Sequence, residues 1–440
     1  MAVISTTDEP KEDRQQNLLR RDAQVFFNQA NTSPCPIALH KGEGSWLEDL
    51  AGKRYMDWHG NNCHHVGYAH PRITAAIADQ LAQLSFVPRG FTAESPVLLA
   101  EKLQQIWPGE RGRVSLVPSG SSAVEIALSL ARVYTRRSHI LSFYGAYHGR
   151  SAGALSVSGP ARGRSTKLGS LVPGSIFVPP FHALRRGESD DDAAQRSLAA
   201  IRDALEFEGD IAALIAEPIR NGPFTPPHGY WAQVQELCVS HGTLLIFDEI
   251  PVGLGRTGAM FASEHFDVVP DMTLIGKALG GTALPLAAVI ADERLNCSPE
   301  LNLHYFTHEK NPLSAAAGLA TLNILIDEGL SDRAAQLGVE NLRKLKRLAA
   351  ACDAVHEVRG AGLMFGIGFS AEGGASPSKS KSKTGAQLAA TFVNAARDEG
   401  LIVNGPREAE VTLAPALNIT SNDLALGFDM VERALAKLML

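Results

Sequence analysis

Between about Pro71 and Leu325 the chain alternates two kinds of hydrophobic pattern. Val114–Val117, Ile140–Phe143, Ala213–Ala216, Thr243–Phe247, Met272–Ile275 and Leu286–Ile290 are short apolar runs rich in Val, Ile and Leu. Runs of that length, apolar on both faces, predict strands of a mostly parallel sheet covered by helices. Ser122–Tyr134 and Tyr230–His241 have helical spacing instead, with Val124, Leu128 and Ala131 at i, i+4 and i+7 of one face. The alternation predicts a large doubly wound α/β domain over 71–325, with its ligands at the carboxyl ends of the strands. The flanks, 1–70 and 326–440, mix helices with short strands and are expected to form one smaller α+β lobe from both termini. His182–Gln195, with the run Asp190-Asp191-Asp192, and Ser370–Gly385, rich in Gly, Ser and Lys, read as solvated loops. No internal repeat is visible.

Composition narrows the class. A chain of 440 residues is long enough for two or three lobes, and 45% hydrophobic with 20% charged residues is ordinary globular composition. The formal net charge of −6 gives no basic field for a nucleic-acid backbone. No apolar run has the length of a membrane helix, and the polar segment from Met1 to Asn17 has no secretory core. Cys35, Cys63, Cys238, Cys297 and Cys352 are scattered and odd in number. They read as reduced thiols of a cytoplasmic protein, not as a disulfide frame or zinc site.

Four segments carry candidate chemistry, and each is ambiguous alone. Ser119-Gly120-Ser121-Ser122-Ala123-Val124-Glu125 follows a strand, and Ser122 with Glu125 has the spacing of a capping box. A helix start of small residues can hold a phosphate or can simply be a capped helix. Tyr147, in Tyr144-Gly145-Ala146-Tyr147-His148-Gly149-Arg150, can lie against a planar cofactor or anchor a turn. Asp248 ends a buried strand and needs a cation, either a pyridinium nitrogen or a neighbouring arginine such as Arg256. Lys277, between Met272–Ile275 and the pair Gly280-Gly281, can form a Schiff base as a desolvated amine or snorkel from a strand end. Gly253-Leu254-Gly255-Arg256-Thr257-Gly258 fits a dinucleotide fingerprint. However, Asp248-Glu249-Ile250-Pro251 intervenes between it and the strand, which argues against that reading.

Taken together and in this order, the segments resemble the class III aminotransferase family of fold-type I pyridoxal-phosphate enzymes, from about Gly44 to the C-terminus. The resemblance implies that Lys277 bonds the aldehyde of pyridoxal 5'-phosphate, that Asp248 pairs with its ring nitrogen and that Tyr147 stacks on the ring. Gly120 and Ser121 would bind the phosphate, with Thr307 reaching it from the partner subunit of a homodimer, and Glu217 would lie near the substrate side. The chain departs from the family pattern at Ile250-Pro251, where Val-Gln is usual, and in Thr307-His308-Glu309-Lys310 before Asn311-Pro312. It departs again at Thr412, where many amino-acid members carry a carboxylate-binding arginine.

The stretch Trp58-His59-Gly60-Asn61-Asn62-Cys63-His64-His65-Val66-Gly67-Tyr68, with Asp248–Pro251 and Thr307–Pro312, looks most like the branch containing the 1-hydroxy-2-aminoethylphosphonate ammonia-lyase. That likeness implies β-elimination on a small hydroxylated aminophosphonate, with an ω-amine:keto-acid aminotransferase as the alternative. Arg89 is the expected anchor for the phosphonate. Asn61, Asn62, His64 and His65 are candidates to line the pocket, and Asn61, Asn62 and His65 are taken with Arg89 as the substrate set. No metal is expected, because adjacent histidines without a carboxylate partner seldom chelate.

Overall fold

A computed structural model describes residues 11–29, 33, 35–159, 171–182, 188–370 and 384–439. The six apolar runs, joined by an edge strand that the sequence did not predict, Ser175–Val178, form one seven-stranded sheet in the order Gly112–Val117, Ala287–Asp292, Met272–Ile275, Leu244–Asp248, Ile211–Ala216, His139–Phe143, Ser175–Val178. Ala287–Asp292 runs antiparallel to both neighbours and every other pairing inside the sheet is parallel. The central strands Ile211–Ala216 and Leu244–Asp248 are buried at every position. This burial explains why they read as continuous apolar runs instead of alternating ones.

The helix Gly120–Thr135 crosses one face, with Val124, Leu128 and Ala131 wholly buried. Tyr230–Ser240 and Asp190–Glu208 cover the other, packing Trp231, Val234 and Leu198 against Phe247 and Leu245. The acidic run 190–192 is therefore no loop. Ser189 caps the helix in a reciprocal capping box with Asp192, and three carboxylates occupy its first turn, where the helix dipole favours negative charge. Most of the expected loop 370–385 lies outside the described residues; Gly385 opens the helix Gly385–Asp398.

The two chain ends meet. Leu401–Val403 pairs in parallel with Arg54–Trp58 in a four-stranded sheet, and Val355–Ala361, Met364–Phe369 and Glu410–Leu413 form a three-stranded one. Arg256 ties this region to the large sheet. It is fully buried, donates to the carbonyls of Leu363 and Pro415 at 2.8 and 2.6 Å, and lies 3.2 Å from His65 Nδ1. Burial lowers its pKa to about 9. The glycines around it sit in turns at positive φ, Gly255 at +87° and Gly258 at +95°, and open no phosphate-binding helix.

Candidate active site

Five strands of the large sheet, those ending at Val117, Phe143, Ala216, Asp248 and Ile275, point their carboxyl ends the same way. The loops that follow them surround a cavity of about 390 Å³. It is the site that strand topology favours in an open α/β sheet.

The helix start at Gly120 is capped by Ser119, not by Ser122: Ser119 Oγ accepts from Ser122 N at 3.1 Å. Glu125 does not reach back to close a box. Its carboxylate accepts from the N–H groups of Gly153 and Ala154 at 2.8 and 3.2 Å and anchors the next segment. A Cβ at Gly120 would lie 2.8 Å from Ile250 Cδ1, so any larger residue there would have to displace that side chain. Gly149 approaches from the other strand, where a Cβ would meet Ser121 Oγ at 2.4 Å. Small residues and unpaired N–H groups at the start of a sixteen-residue helix make a cradle suited to a phosphate.

Asp248, only 2% exposed, accepts from Ile250 N at 3.1 Å and lies 2.8 Å from His148 Nδ1. Its partner is thus His148, while Arg256 is engaged elsewhere. The far nitrogen of His148, Nε2, is buried without a hydrogen-bond partner among the described residues. A buried carboxylate backed by an imidazole is a good counter-charge for a protonated ring nitrogen.

Lys277 follows the Met272–Ile275 strand at φ +47°, a left-handed conformation that a side-chain-bearing residue adopts at a cost. Strain of this kind is tolerated where the fold must aim one group. Burial lowers the Lys277 pKa, Arg407 pushes it the same way, and Asp248, Glu217 and Cys63 pull against them. Tyr147, 41% exposed, and the buried Glu217 share the cavity with it. A lowered amine, a charged floor and a phosphate cradle fit the pyridoxal 5'-phosphate aldehyde. Lys277 would bond it, Asp248 and His148 would hold its ring nitrogen, and Gly120 with Ser121 would take its phosphate.

The rest of the lining comes from loops. Asn61 and Asn62, at φ +50° and +59°, line the cavity as expected. His65 does not. It is buried between Arg256 and the Gly253 carbonyl, 3.3 Å from its Nε2, and desolvation depresses its pKa strongly. His64 is likewise turned away, onto the Asp57 carbonyl at 3.1 Å. Arg89 is outside the cavity of its own chain, exposed, with its guanidinium 3.5 Å from the Tyr305 ring centroid. Thr307 is exposed as well.

Four lining residues escaped the sequence reading: Arg407, Asn221, His59 and Asn404. Arg407 enters the cavity from the turn before Glu410–Leu413, while Thr412 is buried in that strand. With its amide oxygen toward the guanidinium, Asn221 accepts from Nη1 and Nη2 of Arg407 at 2.9 and 3.2 Å. None had a local signal: an arginine in Gly405-Pro406-Arg407-Glu408 looks like any solvated turn.

Comparison with known proteins agrees with this geometry. The class III aminotransferase family model matches residues 27–435. The chain is 35% identical to the (R)-1-hydroxy-2-aminoethylphosphonate ammonia-lyase of Vibrio splendidus, covering 97% of this chain and 91% of that one. It is 34% identical to an acetylornithine aminotransferase of Methanothermobacter thermautotrophicus, over 92% and 95% of the two chains. Among solved structures, the taurine:2-oxoglutarate aminotransferase of Bifidobacterium kashiwanohense, in complex with PLP and glutamate, superposes with a TM-score of 0.88 at 26% identity, covering 96% and 98% of the chains.

Proposed function

The chain belongs to the class III aminotransferase family, and from that premise we propose that it is an ammonia-lyase for a small hydroxylated aminophosphonate of the 1-hydroxy-2-aminoethylphosphonate type. Its fold is that of the fold-type I pyridoxal-phosphate enzymes, and pyridoxal 5'-phosphate is its cofactor. When bound, that cofactor supplies an aldehyde for an amine to bond and a ring that draws electrons from the amine-bearing carbon.

The chain's own groups have defined tasks. Lys277, with its pKa lowered by burial, is the base for the proton on that carbon. Asp248, backed by His148 at 2.8 Å, keeps negative charge where the ring nitrogen needs it. Arg407 holds the phosphonate through a planar fork of donors that Asn221 keeps oriented. The observation that carries the reading is this shared cavity, in which the amine of Lys277 and a braced guanidinium are brought together. The likeness to the Vibrio splendidus enzyme supports elimination over transamination.

The reading includes a homodimer. Phe86 meets His308 edge-on at 5.5 Å, and Phe91 and Tyr305 are 69% and 65% exposed beside Arg89 and Thr307. An aromatic surface of this kind suits burial against a second copy, which would bring Thr307 to the partner's phosphate and Arg89 to the rim of its cavity.

The test is incubation of the loaded protein with candidate hydroxylated aminophosphonates and no keto acid. Ammonia released over many turnovers is expected. A single turnover that halts until pyruvate is added would replace this reading with an ω-amine:keto-acid aminotransferase.

A further inference from the structure

Elimination of hydroxide needs something more than a base. Hydroxide is a poor leaving group, so its oxygen must gain a proton as the carbon–oxygen bond breaks. Among the titratable groups of the cavity, His148 and Asp248 hold each other. Tyr147 and Lys277 are assigned to the cofactor and to the carbon proton. That leaves Glu217 and His59, and of these only His59 is an imidazole, the group whose ordinary titration range suits it to give a proton and regain it near neutral pH.

His59 is held by its backbone and free at its ring. It follows the Arg54–Trp58 strand, and Asp57 Oδ1 accepts from its N–H at 2.9 Å and from that of Gly60 at 3.0 Å. The other oxygen of Asp57 accepts from Tyr68 Oη at 2.6 Å. Among the described residues, neither ring nitrogen of His59 has a hydrogen-bond partner. His59 thus lines the cavity just past the end of that strand.

We propose that His59 is the proton donor to the departing hydroxyl, and that the negative charge of the substrate's own anionic group, bound at Arg407, favours the protonated imidazole, whose proton comes from solvent. The proposal rests on the lyase reading and adds to it a second catalytic residue and a reason for an anionic substrate.

The electrostatics support the second half. Burial lowers the His59 pKa, with Arg407 and Lys277 pushing the same way and Asp57 opposing them. His59 in turn depresses the buried His64. Without an anion these influences disfavour the charged imidazole. An anion at Arg407 cancels one of the two opposing positive charges and adds negative charge of its own, which raises the His59 pKa. By linkage, proton and anion favour each other's binding. A neutral amine gives no such help.

The step balances. The amine of Lys277 takes the proton from the amine-bearing carbon, and that electron pair becomes the new carbon–carbon double bond. The pair of the broken carbon–oxygen bond leaves with oxygen, which takes the proton of His59 and departs as water. The unsaturated amine regains water and yields ammonia and a phosphono-aldehyde, while solvent resets both side chains. No oxidant, reductant or keto acid enters.

The test compares His59→Gln with the unaltered holoenzyme on two aminophosphonates that differ only in the leaving group, hydroxyl or fluoride. Fluoride departs without a proton. Ammonia release from the hydroxy compound is expected to fall about 100-fold or more, and from the fluoro compound by less than about fivefold. Equal losses on both compounds would overturn the proton-donor role and leave the lyase reading standing. If the unaltered enzyme releases no ammonia from the hydroxy compound, the lyase reading falls and this proposal with it. A second readout needs no turnover: NMR of the ring-labelled histidines of the holoenzyme, with and without 2-hydroxyethylphosphonate, which has no amine. The His59 pKa is expected to rise by about one unit or more, and not in Arg407→Gln. An unmoved pKa in the unaltered protein would refute charging by the anion.

Discussion

The cavity has two halves built in different ways. The half from the sheet takes Gly120, Tyr147, Glu217, Asp248 and Lys277 from the ends of successive strands. Hydrogen bonds across the sheet fix where those ends lie, so each residue is aimed by the backbone that precedes it. The other half takes His59, Asn61, Asn221 and Arg407 from turns far apart in the chain, and their relation rests on side-chain contacts such as that between Asn221 and Arg407. The sheet half is a platform that one cofactor chemistry can reuse. The turn half can change residue by residue, and with it the substrate.

The contrast predicts where substitution is fatal and where it only redirects the enzyme. Lys277→Ala is expected to abolish turnover and the yellow chromophore, and borohydride should no longer label the peptide that contains position 277. A label on another lysine in the unaltered protein would remove the basis of the whole sheet-half assignment. Asp248→Asn is expected next, with a loss of about 10²- to 10⁴-fold in kcat, because the amide cannot supply the charge behind the ring nitrogen. Full activity in that variant would mean that the His148–Asp248 pair is only structural.

Apart from His59, changes in the turn half should act on substrate instead. Arg407→Gln is expected to raise KM for an anionic amine about 10- to 100-fold, as for loss of a charged hydrogen bond of about 1.5–3 kcal/mol, with little change in cofactor affinity. A fall in kcat at constant KM would count against an anion-binding role. Loss of the same magnitude in Arg89→Gln would move the anchor to the subunit interface.

The smallest effect should come from Glu249, the carboxylate next to Asp248 but facing away from the cavity. It is buried, accepts from the N–H groups of Ala262 and Ser263 at 2.5 and 2.9 Å, and desolvation raises its pKa to about 7. Its folded-state pKa is above the unfolded value, so its contribution to stability is full at low pH and is lost as pH rises. The window runs from about 4.5 to about 7, and the loss is at most about 3 kcal/mol. Thermal unfolding of the unaltered protein against Glu249→Gln should show the difference shrinking or reversing with rising pH in that window. Parallel pH profiles would mean that Glu249 stays charged in the fold.

The adjacent pair Asp248-Glu249 also marks where sequence stops being sufficient. Both residues follow an apolar strand and look alike in the sequence, yet one meets His148 and the other two backbone amides. Likewise Arg256 and Arg407 both sit in glycine- or proline-rich turns. Arg256 donates to the carbonyls of Leu363 and Pro415, and Arg407 enters the cavity. The capping box expected at Ser122 and Glu125 failed for a similar reason: Glu125 found better partners in Gly153 and Ala154, which no local window contains.

The sequence by itself determined six of the seven strands of the large sheet, because burial on both faces leaves an unbroken apolar run whose end is visible; the edge strand Ser175–Val178 and the helix Asp190–Glu208 left no such signal. It also marked the lysine, the aspartate and the small-residue helix start as candidates, because each stands next to such a run. Tertiary structure alone decided which turn residues share the cavity and which of the buried charges find partners elsewhere. Those outcomes depend on contacts between segments hundreds of residues apart, such as the approach of Arg407 to Asn221 and of His65 to Arg256, and no periodicity in the chain encodes such an encounter.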